Sequence, residues 1–134
     1  MNKQKSSKGI NIGLWVLQVL LAVAFFMAGL MKITSSAEDL AAGGMSVVDH
    51  FSLGMIRFIG ISEVLAAIGL ILPAALRIKP ILTVLAAVGV AVVMASATIY
   101  HIALGEPFAA TAVLLLLALV VVWGRLKKAP IQGK

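Results

Sequence analysis

Four long apolar stretches, separated by short polar segments, make up most of the chain. They cover about residues 10–32, 55–74, 80–103 and 108–124. A helix needs roughly 20 apolar residues to cross the hydrocarbon core of a bilayer, and each stretch comes near that length. The pattern therefore predicts an all-α fold: a polytopic membrane protein whose single domain, residues 1–134, is a bundle of four transmembrane helices.

The segments outside the apolar stretches predict where regular structure ends. Residues 1–9 are polar and basic, so we expect a short, poorly ordered tail before the first helix. Pro73 predicts the end of the second helix, because proline cannot donate a helical hydrogen bond. The chain after Pro130 is short and polar, and we expect it to be loose.

The longest polar connection covers residues 33–54 and predicts a short helix at the membrane surface. Ser35, followed by Glu38, resembles a capping box, in which the two side chains satisfy the first free N–H groups of a helix. Gly43 and Gly44 then predict its end.

Composition supports a membrane protein and excludes several kinds of chemistry. Hydrophobic residues make up 62% of the chain and charged residues 12%, whereas a soluble domain carries about 25% charged residues. The chain has no cysteine, which excludes disulfides, thiol chemistry and thiolate-held iron–sulfur clusters. Its two histidines show no metal-ligand spacing, and the sequence contains no nucleotide-binding or phosphate-binding motif.

The basic residues predict the orientation of the helices. The net charge is +6, but the basic residues flank apolar stretches, so we expect membrane topology rather than nucleic-acid binding to explain them. With four spans, nine of the eleven Lys and Arg residues fall on the side of the termini, and all five acids fall in the opposite half. The nine are Lys3, Lys5, Lys8, Arg77, Lys79, Arg125, Lys127, Lys128 and Lys134. The positive-inside rule then places both termini in the cytoplasm, and we expect a bacterial plasma membrane.

Glu63 is the charged residue that the apolar pattern explains least. It lies in the second stretch, about two helical turns from the start, where a charge costs about 2.5–3.5 kcal/mol on insertion scales. Gly60, Ala66 and Ala67 lie on the same side of a helical wheel and would let another helix approach. We therefore expect Glu63 to face the interior of the bundle.

Other polar residues fall in the same half of the predicted membrane as Glu63. Lys32 ends the first stretch, Arg57 begins the second, and Thr98 and His101 share a face near the end of the third. We expect Lys32, Glu63 and His101 to form an outward-facing polar pocket, with Arg57 at its rim and Thr98 nearby. Lys32, Arg57 and His101 all stay open as partners of Glu63. The alternative is that these side chains only anchor the helix ends at the lipid headgroups.

Three segments of the chain resemble the DoxX-like family of small four-helix membrane proteins. They are residues 25–33 (FFMAGLMKI), residues 60–63 and 69–73 (GISE and GLILP), and residues 97–101 before 105–107 (ATIYH and GEP). The resemblance covers most of residues 12–124. The family takes its name from a subunit of an archaeal thiosulfate:quinone oxidoreductase. Other relatives are linked to quinone or oxidative-stress responses, and a distant animal relative assists receptor assembly.

The resemblance implies a subunit or accessory factor of quinone-linked redox metabolism. The pocket would then hold a quinone, and a partner protein would supply electrons; whether the chain is itself an enzyme stays open. One alternative is an assembly factor or lipid-binding protein, and another is a small proton-coupled transporter that uses Glu63. Membrane lipids are expected partners. Small residues such as Gly89, Ala91 and Ala95 leave a homo-oligomer open.

Overall fold

A computed structural model describes the backbone of residues 2–133 and the side chains of residues 8–133. Every regular element within residues 2–133 is helical. The elements are α1 (Asn2–Thr34), α2 (Ala37–Ala42), a 3₁₀ helix (Ser46–Asp49), α3 (Leu53–Leu76), α4 (Ile81–Ala103) and α5 (Ala109–Trp123), which continues into a π-helical turn (Gly124–Lys128). The side chains of Lys3 and Lys5 and the whole of Lys134, which entered the prediction of orientation, lie outside the described residues.

Among the described residues, four helices are long and apolar enough to cross a membrane, as the sequence predicted. The apolar spans are Lys8–Thr34, Leu53–Leu76, Ile81–Ala103 and Ala109–Lys128. Along the chain, α1 packs against α3, α3 against α4 and α4 against α5, and a smaller contact between α5 and α1 closes the bundle. Leu21, Phe25, Leu70, Val90 and Val121 form part of its apolar core.

The bundle has two chemically different ends. We call the end that carries residues 35–52 and 104–108 the loop end. The end that carries residues 77–80 and 124–133 is the basic end. Neither name specifies a side of the membrane.

The first helix begins earlier than predicted. α1 starts at Asn2, so the expected poorly ordered tail of residues 1–9 is wrong for the described residues. This segment contains no proline, and each residue added to an existing helix gains one hydrogen bond without a new nucleation cost.

Pro73 lies inside α3 instead of ending it. The helix continues to Leu76, because proline removes only the hydrogen bond to the carbonyl of Gly69 and leaves the following N–H groups available. α3 ends where Arg77 adopts a left-handed conformation, with a φ of 58°.

The segment after Pro130 is also held to the bundle, against expectation. Arg77 Nε donates a hydrogen bond of 2.7 Å to the carbonyl of Gln132. Ala129 is buried, with 6% of its surface exposed. The C-terminal segment therefore packs beside the α3–α4 turn.

The short helix α2 forms in the predicted connection, but its cap is one residue later than expected. The Ser35 N–H continues α1 by donating to the carbonyl of Met31, so Ser35 belongs to the end of that helix. The Ser36 hydroxyl instead accepts a 3.1 Å hydrogen bond from the N–H of Asp39. Gly44, with a φ of 88°, turns the chain after α2.

Candidate functional site

Two glycines bring α1 and α3 into backbone contact near the loop end. A Cβ atom at Gly29 would lie 2.6 Å from the carbonyl oxygen of Gly60. A Cβ atom at Gly60 would lie 2.8 Å from both the carbonyl oxygen of Gly29 and the Cβ of Lys32. Such distances are too short for any side chain, so this helix crossing depends on glycine at both positions.

The close crossing allows a buried ion pair between Lys32 and Glu63. Lys32 Nζ lies 2.7 Å from Glu63 Oε1, and the two side chains are 15% and 4% exposed. Lys32 lies nearer the loop end than Glu63 does. Its side chain therefore reaches back into the bundle and does not extend toward the headgroups. Glu63 faces the interior, as the sequence predicted, and Lys32 is its partner.

Arg57 does not lie at the rim of a pocket, where the sequence predicted it. Its Nη1 donates a 2.7 Å hydrogen bond to the carbonyl of Lys32 and a second hydrogen bond to the carbonyl of Ser35. These carbonyls lie in the last turn of α1 and at the residue that follows it, where helical carbonyls lack partners within the helix. Arg57 does not line the cavity described next; it fixes the turn of α1 that carries Lys32.

A cavity of about 530 Å³ lies beside this ion pair, in the loop-end half of the bundle. Its walls come from α1, α3, α4 and the connection between α2 and α3, with one contribution from α5. Lys32, Glu63 and His101, which the sequence placed in one pocket, all line it. Apolar wall residues include Phe58 and Met94.

A second polar network joins the loops over this cavity. Ser46 Oγ donates to Glu106 Oε1 at 3.0 Å and lies 3.3 Å from the hydroxyl of Tyr100. His101 Nδ1 lies 3.2 Å from the same Glu106 oxygen. The sequence pattern placed neither Ser46 nor Glu106 at the pocket. The two residues are 60 positions apart, and no local pattern connects them.

Aromatic rings complete this cover at the loop end. The ring of Tyr100 lies 5.8 Å from His50, 6.0 Å from Phe51 and 5.4 Å from His101, measured between centroids. These spacings are typical of favourable aromatic pairs. The 3₁₀ segment is therefore attached to the end of α4 by ring packing as well as by hydrogen bonds.

Thr98 faces α5 and does not line the cavity. Its hydroxyl lies 2.7 Å from the carbonyl of Met94 and 3.0 Å from the hydroxyl of Thr111. Thr111, on α5, takes the place in the cavity wall that the sequence assigned to Thr98. Thr98 lies on α4 between the lining residues Ala97 and Tyr100, but its hydroxyl is directed to Thr111 on α5.

A separate polar network crosses the basic end, where sequence analysis expected only flanking charge from Arg125. Arg125 is 3% exposed; its Nε donates to Gln18 Oε1 at 2.7 Å and its Nη1 to Asn11 Oδ1 at 2.6 Å. Gln18 in turn donates to the carbonyl of Leu70 at 2.6 Å. The network ties α1, α3 and the end of α5 together through neutral partners.

Comparison with known proteins agrees with this architecture. The model of the DoxX-like family matches residues 16–123, which cover two of the apolar helices fully, most of the other two, and every residue that lines the cavity. No curated protein and no solved structure matches the chain. The family match and the four apolar helices together indicate a multi-pass integral membrane protein. The chain belongs to the DoxX-like family.

Proposed function

We propose that this protein serves quinone-linked redox metabolism and that its cavity holds the head group of a quinone. The observation that carries the proposal is the buried Lys32–Glu63 ion pair in the wall of the 530 Å³ cavity. Membrane proteins rarely keep ionisable side chains within a span unless these side chains serve a site or a polar network.

The lining residues fit the chemistry of a quinone ring. Lys32 Nζ carries three N–H donors and directs one toward Glu63, which leaves donors for a ring carbonyl. Tyr100 and His101 add a hydroxyl and an imidazole to the same cavity. Phe51 and Phe58 supply aromatic walls. The volume lies within the range of about 300–1,000 Å³ that is usual for small-molecule sites.

The charges of the site favour a neutral head group over a phosphate. Glu63 neutralises Lys32, and Glu106 adds a second carboxylate at the cover of the cavity. A phosphate in the cavity would meet the Glu63 carboxylate with only Lys32 to offset it, and the Glu106 carboxylate lies behind Ser46 and His101. A ring whose carbonyls accept hydrogen bonds meets no such repulsion. The charges therefore favour a quinone over an anionic lipid.

The residues then have distinct expected roles. When bound, a quinone supplies reversible two-electron, two-proton chemistry. Lys32 donates a hydrogen bond from Nζ, and Glu63 holds or passes a proton at its carboxylate. The chain has no cysteine and no nucleotide motif, so a partner protein would supply or accept the electrons.

The test is whether quinone copurifies and binds at this cavity. The purified protein in nanodiscs should carry quinone detectable by mass spectrometry. Glu63→Gln should weaken quinone binding by about tenfold, as expected for the loss of one buried polar contact. Glu38 is exposed on α2, so Glu38→Gln is the matched control and should bind normally. Copurified phospholipid without quinone, with equal behaviour of the two variants, would refute the proposal.

A further inference from the structure

We propose that the ligand of this cavity has a long apolar tail, which leaves the cavity sideways between α3 and α4 toward the middle of the bilayer. The ligand then enters from the membrane and not from water. This proposal rests on the proposed function for the identity of the head group. The path of the tail follows from the shape and surroundings of the cavity alone.

The cavity extends along half of a membrane-spanning helix. Its wall on α4 runs from Val92 to His101. Val92 lies near the middle of α4, which spans Ile81–Ala103, whereas His101 lies near its end. Nine residues of helix rise about 14 Å, close to half of a hydrocarbon core of about 30 Å. The deep part of the cavity therefore lies near the middle of the membrane.

The cavity is also open at the side of the bundle. Phe58, in the second turn of α3, and Val92, at the middle of α4, line the cavity, yet they are 65% and 61% exposed. In a membrane-spanning bundle the surroundings of both side chains are lipid chains. Ser62 and Ser96 lie one helical turn along the same helices, and each hydroxyl donates to a backbone carbonyl of its own helix, that of Phe58 and Val92 respectively. The gap between α3 and α4 thus presents a largely apolar edge to the membrane.

The opposite, loop-end side of the cavity is covered. Met45, Ser46, Val47 and Phe51 lie over it, and Ser46 holds this segment to Tyr100 and Glu106. Polar groups collect beneath this cover, whereas the sideways opening is apolar. A ligand with a polar head and an apolar tail fits only with its head toward the loop end and its tail in the gap.

A second groove on the same bundle provides a control. It lies between α1 and α3, is lined by apolar residues that include Val23, Met27 and Ile68, and contains no charged side chain. Val23 is 54% exposed, close to the value for Val92. The same substitution at the two valines therefore adds the same bulk to two lipid-facing surfaces, of which one borders the cavity.

The experiment compares Val92→Trp with Val23→Trp in nanodiscs. Each variant is titrated with a benzoquinone that carries a ten-carbon chain and with the same ring without the chain. Val92→Trp should weaken binding of the tailed quinone by about tenfold and leave the tailless ring within about twofold, because the added bulk fills the gap. Val23→Trp should change neither. Unchanged binding of the tailed quinone to Val92→Trp, or equal loss of both ligands, would overturn the proposal.

If the quinone head group is wrong, the titrations give a different result from the one that overturns the sideways path. If neither ring binds the unchanged protein, the quinone assignment is refuted. The sideways path is then tested with a phospholipid that carries a photoreactive group on its acyl chain. Cross-links concentrated at Phe58 and Val92 uphold the path, whereas cross-links distributed equally to Val23 and its neighbours overturn it.

Discussion

Gly29 and Gly60 lie backbone to backbone where α1 crosses α3, and each would bring an added Cβ within 2.8 Å of the other residue's carbonyl oxygen. Lys32 and Glu63 lie one helical turn beyond these glycines in sequence. Because the two helices run in opposite directions, the long lysine side chain bridges the crossing and places its Nζ 2.7 Å from the carboxylate. The ion pair therefore depends on the absence of side chains at two neighbouring positions.

We predict that Gly60→Ala lowers the thermal stability of the protein in detergent. The added methyl group overlaps the Gly29 carbonyl and the Lys32 Cβ, and overpacking of this kind costs about 1–3 kcal/mol. Gly89→Ala is the control, since a Cβ there meets no atom within 4 Å and alanine favours a helix. A thermal melt in which the two variants behave alike would contradict the close crossing.

We predict strong coupling between Lys32 and Glu63. Breaking a buried ion pair costs about 3–5 kcal/mol, whereas an exposed charge contributes about 0–1 kcal/mol. Glu63→Ala should therefore lower the melting temperature far more than Glu38→Ala, and a double-mutant cycle with Lys32→Ala should show coupling. Glu106 is unsuitable as a control, because it accepts a hydrogen bond from Ser46. Small, additive effects would mean that the pair is not buried.

We predict that Arg125→Leu destabilises the basic end of the bundle. The change leaves the buried side-chain oxygen of Gln18 without this donor, which costs about 1–3 kcal/mol, and removes the hydrogen bond to the half-buried Asn11 as well. Arg125→Lys should not restore stability, because an ammonium group lacks the fork that reaches both oxygens. Lys127→Leu is the control at an exposed neighbouring position. Equal melting temperatures for the Arg125→Leu and Lys127→Leu variants would contradict the network.

Several features of the molecule could be predicted from the sequence because they depend on local pattern. The lengths of the apolar stretches predicted four helices, and the cost of a charge in lipid predicted that Glu63 faces the interior. The direction of a long side chain could not be predicted in the same way. Arg57 and Arg125 both look like flanking charges in the sequence, yet one holds the end of α1 and the other is buried against Gln18.

Contacts between residues far apart in the sequence could not be predicted from a local pattern either. Ser46 and Glu106 meet only because the 3₁₀ segment folds over the end of α4. The prediction that α3 ends near Pro73 was wrong for a local reason. A proline in the last turn costs one hydrogen bond, and the rest of the helix tolerates that loss.

The orientation of the bundle stays a prediction, and the absence of native cysteine makes it easy to test. By the positive-inside rule, the basic end lies in the cytoplasm. Ile78→Cys, at an exposed position in the α3–α4 turn, should resist an impermeant maleimide in intact cells and react after permeabilisation. Asp49→Cys, exposed at the loop end, should react in intact cells. The reverse labelling pattern would invert the topology.

The proposed hydrogen bond from Lys32 to a quinone is tested by infrared spectroscopy of a quinone labelled with ¹³C at its carbonyls. Binding to the unchanged protein should lower the carbonyl stretching frequency relative to the same quinone in protein-free membranes. The double variant Lys32→Met, Glu63→Gln removes both charges together, so no unpaired charge remains, and it should abolish that shift. Lys127→Met should keep it. A carbonyl frequency that is the same in the unchanged protein, the double variant and empty membranes would contradict a quinone head group at the Lys32–Glu63 pair.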